Sequence, residues 1–458
     1  MKRITQNIIL LLFIATSSFA QQSVLEQYVQ EALQSNIALQ QKELSYKKSL
    51  AALKEAKGLF YPNVSIQARF SAAQGGRAFE LPIGDLMNPV YQNLNVINQL
   101  GQATSPDYPT IADYPQIENQ QINFLRTTEQ ETMVRVAMPV FNSAILYNHR
   151  IQQNLAEAEK ISVAVYKKEL VKEVKTAYFN YAKAVQGVQL FENTIQLVEE
   201  NLRTTESLHR NHKVTIDQVY GVKAELKSVE QQLAEAQKNQ QVAQAYFNFL
   251  LNRDYQNAIE LLQETDLQQS IIAIDQAREQ AFQQRDEFQQ LNYFIAAADQ
   301  KVALNKGNFL PNLNLAVDYG IQGINYAIDQ DSDFAMGSLV MNWNIFDWTT
   351  KAKIEQAQID KAELFKRKEE TKQQIGLQVV STFYELDAAA KNIELAKAEV
   401  EATQKAYKLV QKKYSQGQAN LVEWMNARTQ MTNAKQKQII TTYDYQIRLA
   451  NFERSIGQ

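Results

Sequence analysis

The residues best suited to chemistry in this chain are its three histidines and one serine–lysine pair. His209 and His212 have a spacing that would let both imidazoles face a metal ion from one side of a helix, but no nearby acid is obviously placed as a third ligand. The third histidine, His149, lies far from them in sequence. Ser45 and Lys48 fit an S-x-x-K pattern without its companion motifs. We therefore predict no metal site and no catalytic site.

Composition removes further classes of function. The 458 residues contain no cysteine, which excludes thiol catalysis, disulfides and cysteine-bound zinc, and no glycine-rich phosphate loop is present. A formal net charge of −3 offers no basic surface for nucleic acid. The mean hydropathy of −0.39 is too low for a polytopic helical membrane protein. We predict no enzyme activity, no cofactor and no nucleic-acid partner.

The N-terminus predicts export. Two basic residues precede an apolar run over residues 8–15, and small residues at Ser18 and Ala20 fit cleavage after Ala20. We assign residues 1–20 as a signal peptide. The alternative, an N-terminal membrane anchor, needs a longer apolar run than this one.

The rest of the chain is a tandem duplication. Residues 57–71 (KGLFYPNVSIQARFS) align without gaps with residues 306–320 (KGNFLPNLNLAVDYG), and two further pairs of matching segments follow in the same order. Such internal repetition indicates one structural unit used twice: helix, strand, strand, long helix, helix. The predicted repeats are residues 21–265 and 266–458.

Periodicity and proline placement locate the elements within each repeat. Alternating apolar and polar residues predict strands at about 62–72, 131–141, 311–322 and 334–345. No proline occurs in 140–310 or after Pro311, so long helical hairpins are predicted over 144–252 and 349–456. Their first helices would be about 65 residues and roughly 100 Å long. Five prolines fall in the long connecting loop 73–130, which is predicted to be irregular over residues 75–120.

The alternation gives each strand one apolar and one polar face. The side chains predicted to face lipid are Val64, Ile66, Phe70, Leu313, Leu315, Val317 and Tyr319, and those predicted to face a water-filled lumen are Gln67, Arg69, Asn314 and Asp318. Four strands are too few to close a membrane barrel, whose smallest forms have about eight, so partner copies are required. The alternative is a small soluble β-domain on a helical stalk.

These features together resemble the TolC-like outer-membrane efflux family over nearly the whole chain. The residues that carry the resemblance are the two K-G-x-F-x-P-N segments, the strand-to-helix junctions P-V-F-N and N-I-F-D, and YSQGQANLVEWMNA at 414–427. The resemblance implies a mainly α fold with a small β part. Four strands per chain would contribute to a trimeric 12-stranded transmembrane β-barrel, continuous with a periplasmic α-helical barrel. It also implies a passive exit channel in the outer membrane that works with a periplasmic adaptor and an inner-membrane pump.

The resemblance also assigns site residues. It implies that the adaptor docks at two hairpin tips, Val214-Thr215 and Gly417-Gln418, although the family commonly has glycine where this chain has Val214. It further implies a periplasmic aperture formed by Tyr414, Glu423 and Asn426. Since Asn420 precedes Glu423 by three residues, the glutamate is also explained as the second member of a capping box. The alternative function is an exported helical scaffold or a periplasmic adaptor subunit without a pore.

Overall fold

The computed structural model describes residues 24–261, 272–324 and 332–458, so the predicted signal peptide lies outside the described residues. The chain forms two compact units. One comprises the chain up to Glu55, Tyr147–Asn305 and Trp348–Gln458, and the other comprises Ala56–Leu146 and Lys306–Asp347. None of the described helices combines the length and the apolar content needed to cross a membrane.

Helices dominate the described chain, as predicted. In the first half they are α1 Val24–Ser35, α2 Ile37–Gly58, α3 Ile83–Thr104, α4 Ser143–Arg210 and α5 Ile216–Leu250; in the second half they are α6 Ile274–Gln284, α7 Asp286–Gly307, α8 Trp348–Ser415 and α9 Leu421–Ser455. The order repeats, except that α3 has no counterpart among the described residues of the second half. Helices α4 and α8 have 68 residues each, which corresponds to roughly 100 Å at 1.5 Å per residue.

The strands form one larger and one smaller sheet. They are β1 Asn63–Ala72, β2 Ala78–Leu81, β3 Gln120–Asn123, β4 Thr128–Phe141, β5 Asn312–Gly323 and β6 Asp333–Asn342. The larger sheet has the order β1-β4-β5-β6 with antiparallel neighbours throughout, while β2 pairs only with β3. Each repeat therefore contributes one hairpin to the larger sheet, and the β4–β5 pair joins the two repeats. Alternating Val, Ile, Leu and Phe side chains suit these strands because branched and aromatic residues pack well on a pleated surface.

The connection 73–130 is more regular than its prolines predicted for residues 75–120, although residues 105–119 contain neither helix nor strand. It contains β2, the 22-residue helix α3, and β3. Pro89 lies inside α3, where a proline removes one backbone hydrogen bond at a cost of roughly 3 kcal/mol. Hydrogen bonds from the side chains of Asn88 and Asn95 to Ile117 and Tyr114 offset this cost.

Three clusters of buried apolar side chains hold the helical unit together. The first joins α1, α2, α4 and α5 around Tyr28 and Phe247, whose rings meet edge to face with centroids 5.1 Å apart. The second joins α4, α5, α8 and α9 around Trp424. The third joins α6, α8 and α9 around Ile375 and Phe452. Both helical hairpins contribute to the second cluster, so it connects the two repeats.

A buried ionic network ties the junction of α6 and α7 to the C-terminal end of α9. The guanidinium of Arg285 donates to both carboxylate oxygens of Glu287 at 2.9 Å and to the carbonyl oxygens of Arg454 and Ser455 at 3.2 Å. Arg454 donates to Glu287 at 2.8 Å and to Glu169 of α4 at 3.1 Å. Arginine at a helix C-terminus satisfies carbonyls that lack partners within the helix.

We predict that this network makes the helical unit acid-sensitive. Burial alone raises the pKa of Glu287, but hydrogen bonds from Arg285 and Arg454 outweigh it and lower the pKa from 4.5 to about 2. The carboxylate therefore stabilises the fold above about pH 4.5, and this contribution is lost as the pH falls toward 2. After allowance for solvent screening, we expect about 2 kcal/mol of unfolding free energy to be lost.

Thermal unfolding in mild detergent, followed by far-ultraviolet circular dichroism from pH 5 to pH 2, measures this loss. Glu287→Gln should be less stable at neutral pH and should lose less stability on acidification than the unmodified chain. Glu363→Gln, at an exposed position of α8, is the matched control and should follow the unmodified chain. An acid loss in Glu287→Gln as large as that of the control would contradict the assignment.

Candidate functional site

The apolar residues predicted to face lipid share one face of the larger sheet. The pairing register places Val64 opposite Val136, which lies opposite Val317, and the next matching row is Ile66, Val134 and Tyr319. Phe70, Leu313 and Leu315 belong to the same face by the two-residue alternation of their strands. Ile66 is 75% exposed and Tyr319 is 60% exposed. The sheet thus presents an apolar surface to its surroundings.

The opposite face carries charges that pair across strands. Arg135 of β4 lies opposite Asp318 of β5, and its guanidinium donates to both carboxylate oxygens at 2.7 and 2.8 Å. Arg69 of β1 lies 3.0 Å from Glu131 of β4. Gln67 and Asn314 share this polar face by alternation. The side chain of Asp318 is only 1% exposed, so its charge is directed at Arg135 rather than at open solvent.

Sequence reasoning missed Arg135 and Glu131. Arg135 alternates with Val134 and Val136, and Glu131 lies on the same face because it precedes Arg135 by four residues in the strand. The alternation that identified Gln67 and Arg69 could therefore have found Arg135, whereas Glu131 lies in a polar run and follows only from its position in the same strand. Which charges would meet depended on the register between β4 and β5.

The second helical hairpin, α8 to α9, closes with a Schellman turn. The amide of Gly417 donates to the carbonyl of Tyr414 at 2.9 Å, and the amide of Gln418 donates to the carbonyl of Lys413 at 2.8 Å. Gly417 has φ +73°, a left-handed conformation that glycine adopts without steric cost. The glycine is required by this turn.

The first hairpin, α4 to α5, closes in the same way with a different residue. The amide of His212 donates to the carbonyl of His209 and the amide of Lys213 donates to the carbonyl of Leu208, each at 2.9 Å, and His212 itself has φ +57°. The left-handed position is therefore filled by histidine; residues other than glycine are uncommon there, although histidine is among those that adopt it more often. The imidazole Nδ1 of His209 lies 3.1 Å from the carbonyl oxygen of Val214.

These observations correct the prediction for the first tip. The residue that matches Gly417 is His212, not Val214, because the two turns align by their hydrogen bonds. The N-cap residue of α5 is Thr215, and Asp217 lies within the first turn of that helix. An acid there still interacts favourably with the N-terminal end of the helix dipole.

The predicted aperture residues occupy two different environments. Glu423 and Asn426 are exposed and lie one turn apart on α9. Glu423 also takes part in a capping box: its amide donates to the Asn420 side chain at 2.9 Å, and the Asn420 amide group lies 3.2 Å from its carboxylate. Tyr414 is 2% exposed, and its hydroxyl is hydrogen-bonded to Thr205 at 2.9 Å. Its side chain therefore packs behind the tip instead of pointing outward.

Two polar contacts in the interior connect the hairpins behind these tips. Burial raises the pKa of Tyr414, which bonds to Thr205 of α4. Arg428 of α9 is 3% exposed and forms an ion pair with Glu225 of α5. Burial lowers the pKa of Arg428, but a guanidinium stays charged at any physiological pH. Sequence reasoning did not find Glu225 or Arg428, since neither belongs to a recognisable motif.

The histidines of the described chain do not come together as a metal site. His212 lies in the turn rather than on the helix that carries His209, so the helical metal pair considered from sequence does not form. Within residues 24–261, 272–324 and 332–458, no group of three or more histidine, aspartate or glutamate side chains is placed to hold a metal ion. What the described residues provide is a two-faced sheet and paired helical hairpins.

Comparison with known proteins finds similarity to outer membrane efflux proteins. Residues 277–458 match the family model for outer membrane efflux proteins. The outer membrane protein TolC of Escherichia coli K12 is 20% identical over 379 residues, covering 78% of this chain and 76% of TolC.

Solved channel structures share the fold. The CmeC outer membrane channel of Campylobacter jejuni superimposes with a TM-score of 0.77 at 15% identity, covering 95% of this chain and 86% of CmeC. The outer-membrane channel OprN gives 0.75 at 14% identity, with 95% and 90% covered.

We predict that the two tips respond in opposite ways to substitution at the left-handed position. In Gly417→Val, a β-branched residue is forced to φ +73° at a cost of about 1–3 kcal/mol, which should open the turn locally. His212→Gly should remove strain and leave its turn as tight or tighter. Hydrogen exchange at the amides of Gln418 and Lys213 measures both effects, because each amide closes its turn.

Exchange at Gln418 should accelerate roughly 5- to 150-fold in Gly417→Val, and exchange at Lys213 should not accelerate in His212→Gly. Unchanged exchange at Gln418 in the valine variant would show that the turn does not depend on glycine.

We predict that neighbouring positions of β5 differ in their tolerance of charge. If the apolar face meets lipid, Leu315→Arg should cost on the order of 2–4 kcal/mol near the bilayer midplane and impair membrane assembly. Asn314→Arg, one residue away on the polar face, should assemble normally. Outer-membrane fractionation and heat-modifiable gel migration compare the two, and equal behaviour of the variants would refute the assignment of the faces.

Proposed function

We propose that this chain, which belongs to the outer membrane efflux protein family, is the exit duct of a tripartite efflux or type I secretion system. The protein lies in the outer membrane and extends into the periplasm. In the proposed role it conducts substrates passively from a periplasmic adaptor and an inner-membrane pump to the outside. The observation that carries the proposal is a four-stranded sheet with one apolar face and two edges open to further strands.

The sheet supports a trimer. Within the described residues, β1 and β6 lie at the edges of the larger sheet, and each pairs with a neighbour on one side only. Open edges are a liability unless they pair, and a closed barrel removes them altogether. Membrane barrels have at least about eight strands, so four strands per chain require additional copies to close a barrel. Three copies would supply twelve strands, with β1 of one copy beside β6 of the next.

The helical unit supports a duct rather than a compact periplasmic domain. Helices α4 and α8 are far longer than the roughly 10 to 14 residues usual in globular proteins, and α8 exposes polar side chains along its whole length. Helices of this length from three copies would enclose a tunnel of roughly 100 Å. The tips at Val214-Thr215 and Gly417-Gln418 are the proposed docking points for the adaptor.

Glu423 is the proposed determinant of ion passage at the periplasmic end. Three-fold symmetry would place three exposed Glu423 carboxylates around one axis, where they repel one another and attract cations. Asn426, one turn further along α9, would form a neutral ring beside them. Tyr414 supports this end from within the hairpin through its bond to Thr205.

The proposal predicts trimeric channels whose cation block depends on Glu423. The chain purified in mild detergent should have three times the protomer mass and should conduct in planar bilayers. Glu423→Gln should weaken block by multivalent cations and reduce cation selectivity without loss of stability, because glutamine retains the oxygen that pairs with Asn420. Asn426→Asp, which adds a second ring of acids, is the matched variant and should strengthen the block.

A stable water-soluble monomer would overturn the channel and favour an exported scaffold or adaptor subunit. If the trimers conduct but their cation block is unchanged in Glu423→Gln, the channel proposal holds and the role of Glu423 is confined to helix capping.

A further inference from the structure

Helix α3, in the connection between β1 and β4, turns its apolar side outward. Leu86 is 69% exposed, Ile97 58% and Leu100 60%, while Val90 is 48% exposed. Contiguous apolar surface of this kind is uncommon on a soluble monomeric surface and marks an interaction site. The stripe formed by Leu86, Val90, Asn93, Ile97, Leu100 and Thr104 is called the α3 seam below.

The opposite side of α3 packs against residues 114–117 of the same connection between β1 and β4. The side-chain amide of Asn88 exchanges two hydrogen bonds with the backbone of Ile117, each at 2.9 Å, and Asn95 does the same with Tyr114 at 3.0 and 2.8 Å. At Gly84 the chains approach so closely that a Cβ atom would lie 2.4 Å from the carbonyl oxygen of Ile117. The helix is thus fixed through its polar side, and this leaves the α3 seam available.

The spacing of the α3 seam is that of a coiled coil. Its six positions follow one another at intervals of four, three, four, three and four residues. β-Branched Val90, Ile97 and Thr104 alternate with Leu86, Asn93 and Leu100. The polar Asn93 lies near the centre of the stripe, and a single polar side chain among apolar ones at such a position favours one register between helices. Such a pattern selects another helix as the partner.

Charge argues against a lipid headgroup surface as the occupant. Residues 78–125 contain no lysine or arginine and carry five acids: Glu80, Asp85, Asp107, Asp113 and Glu118. Helices that lie in a membrane interface typically use lysine and arginine to reach anionic lipid. The acidic loop would be repelled by such a surface.

The position of the loop favours a second copy of this chain. Residues 73–127, which connect β1 to β4 and contain α3, begin and end beside the Ala72–Thr128 pair, at the C-terminal end of β1. Helix α4 follows the other end of β4, after Phe141. The loop therefore emerges at the end of the sheet opposite to the start of α4. It also follows β1, the edge strand at which a neighbouring copy would join.

We propose that the α3 seam packs against the α3 seams of neighbouring copies, forming a parallel helical bundle at the outer end of the channel. This inference rests on the trimer of the proposed function. Symmetry makes the helices parallel and in register, which brings the Asn93 side chains together. The number of helices is set by the strand edges and not by the seam itself.

Single cysteines test the contact directly, because the chain contains no cysteine of its own. Ile97→Cys places a thiol in the α3 seam. Gln92→Cys is the matched control: it is exposed on the same helix but lies about 140° around it. Both full-length variants would be oxidised with copper phenanthroline in detergent, and their mass would be measured without oxidant.

We expect Ile97→Cys to form disulfide-linked pairs about tenfold more efficiently than Gln92→Cys, because a disulfide forms only between closely approaching backbones. Both variants should be trimeric before oxidation. Leu86→Cys, a second seam position, should behave like Ile97→Cys and guards against a local folding defect.

Trimers that cross-link equally at the seam and control positions, or at neither, would overturn the bundle while leaving the channel intact. Monomers before oxidation would instead overturn the proposed function. A bimane label on the thiol of the Ile97→Cys variant, if quenched by brominated lipid in vesicles, would also overturn the bundle, since the seam would then face the membrane.

Discussion

The pairing of β4 with β5 is the contact on which the strand unit depends. The hairpins β1–β4 and β5–β6 each form within one repeat, but β4 and β5 belong to different repeats, and the paired residues Arg135 and Asp318 are 183 positions apart. Closing so long a stretch of chain is entropically unfavourable. The bidentate bond between these two residues favours one register on the polar face. A slip by one residue would turn the apolar side chains of β5 to the polar face.

The same register determines what the sheet can do. With rows such as Val64, Val136 and Val317 aligned, the apolar side chains form a continuous surface, and the charges on the other face neutralise one another in pairs. Paired charges can line a polar lumen at a smaller energetic penalty than isolated ones. The two faces are thus suited to lipid and water respectively, and the open edges are suited to further copies.

The hairpin tips of the two repeats have the same backbone geometry but use different residues to form it. Both hairpin tips close with the same pair of backbone hydrogen bonds, yet one uses Gly417 and the other His212 at the left-handed position. The backbone requirement is shared, but histidine meets it with more strain. Behind the tips, the contacts of Tyr414 with Thr205 and of Arg428 with Glu225 join one repeat to the other. Polar contacts in an interior depend on direction and so specify how the hairpins align.

The sequence by itself determined the long helices, the four strands of the larger sheet and the apolar and polar faces of those strands, because periodicity of two and the absence of proline are local properties. It placed four strands, two long helical hairpins and the duplication, and the fold class is confirmed. It also identified the capping pair Asn420 and Glu423, since three-residue spacing is enough to recognise a capping box.

Only the tertiary structure decided which residues meet. The partnership of Arg135 with Asp318 depends on the register between distant strands, and the burial of Tyr414 depends on helices from both repeats. The left-handed residue of the first tip was assigned to Val214 because sequence alignment ignores hydrogen bonds, which show it to be His212. Helix α3 was not predicted because Pro89 normally ends a helix. The hydrogen bonds of Asn88 and Asn95 with residues 114–117 stabilise it, and a local sequence pattern does not show such contacts.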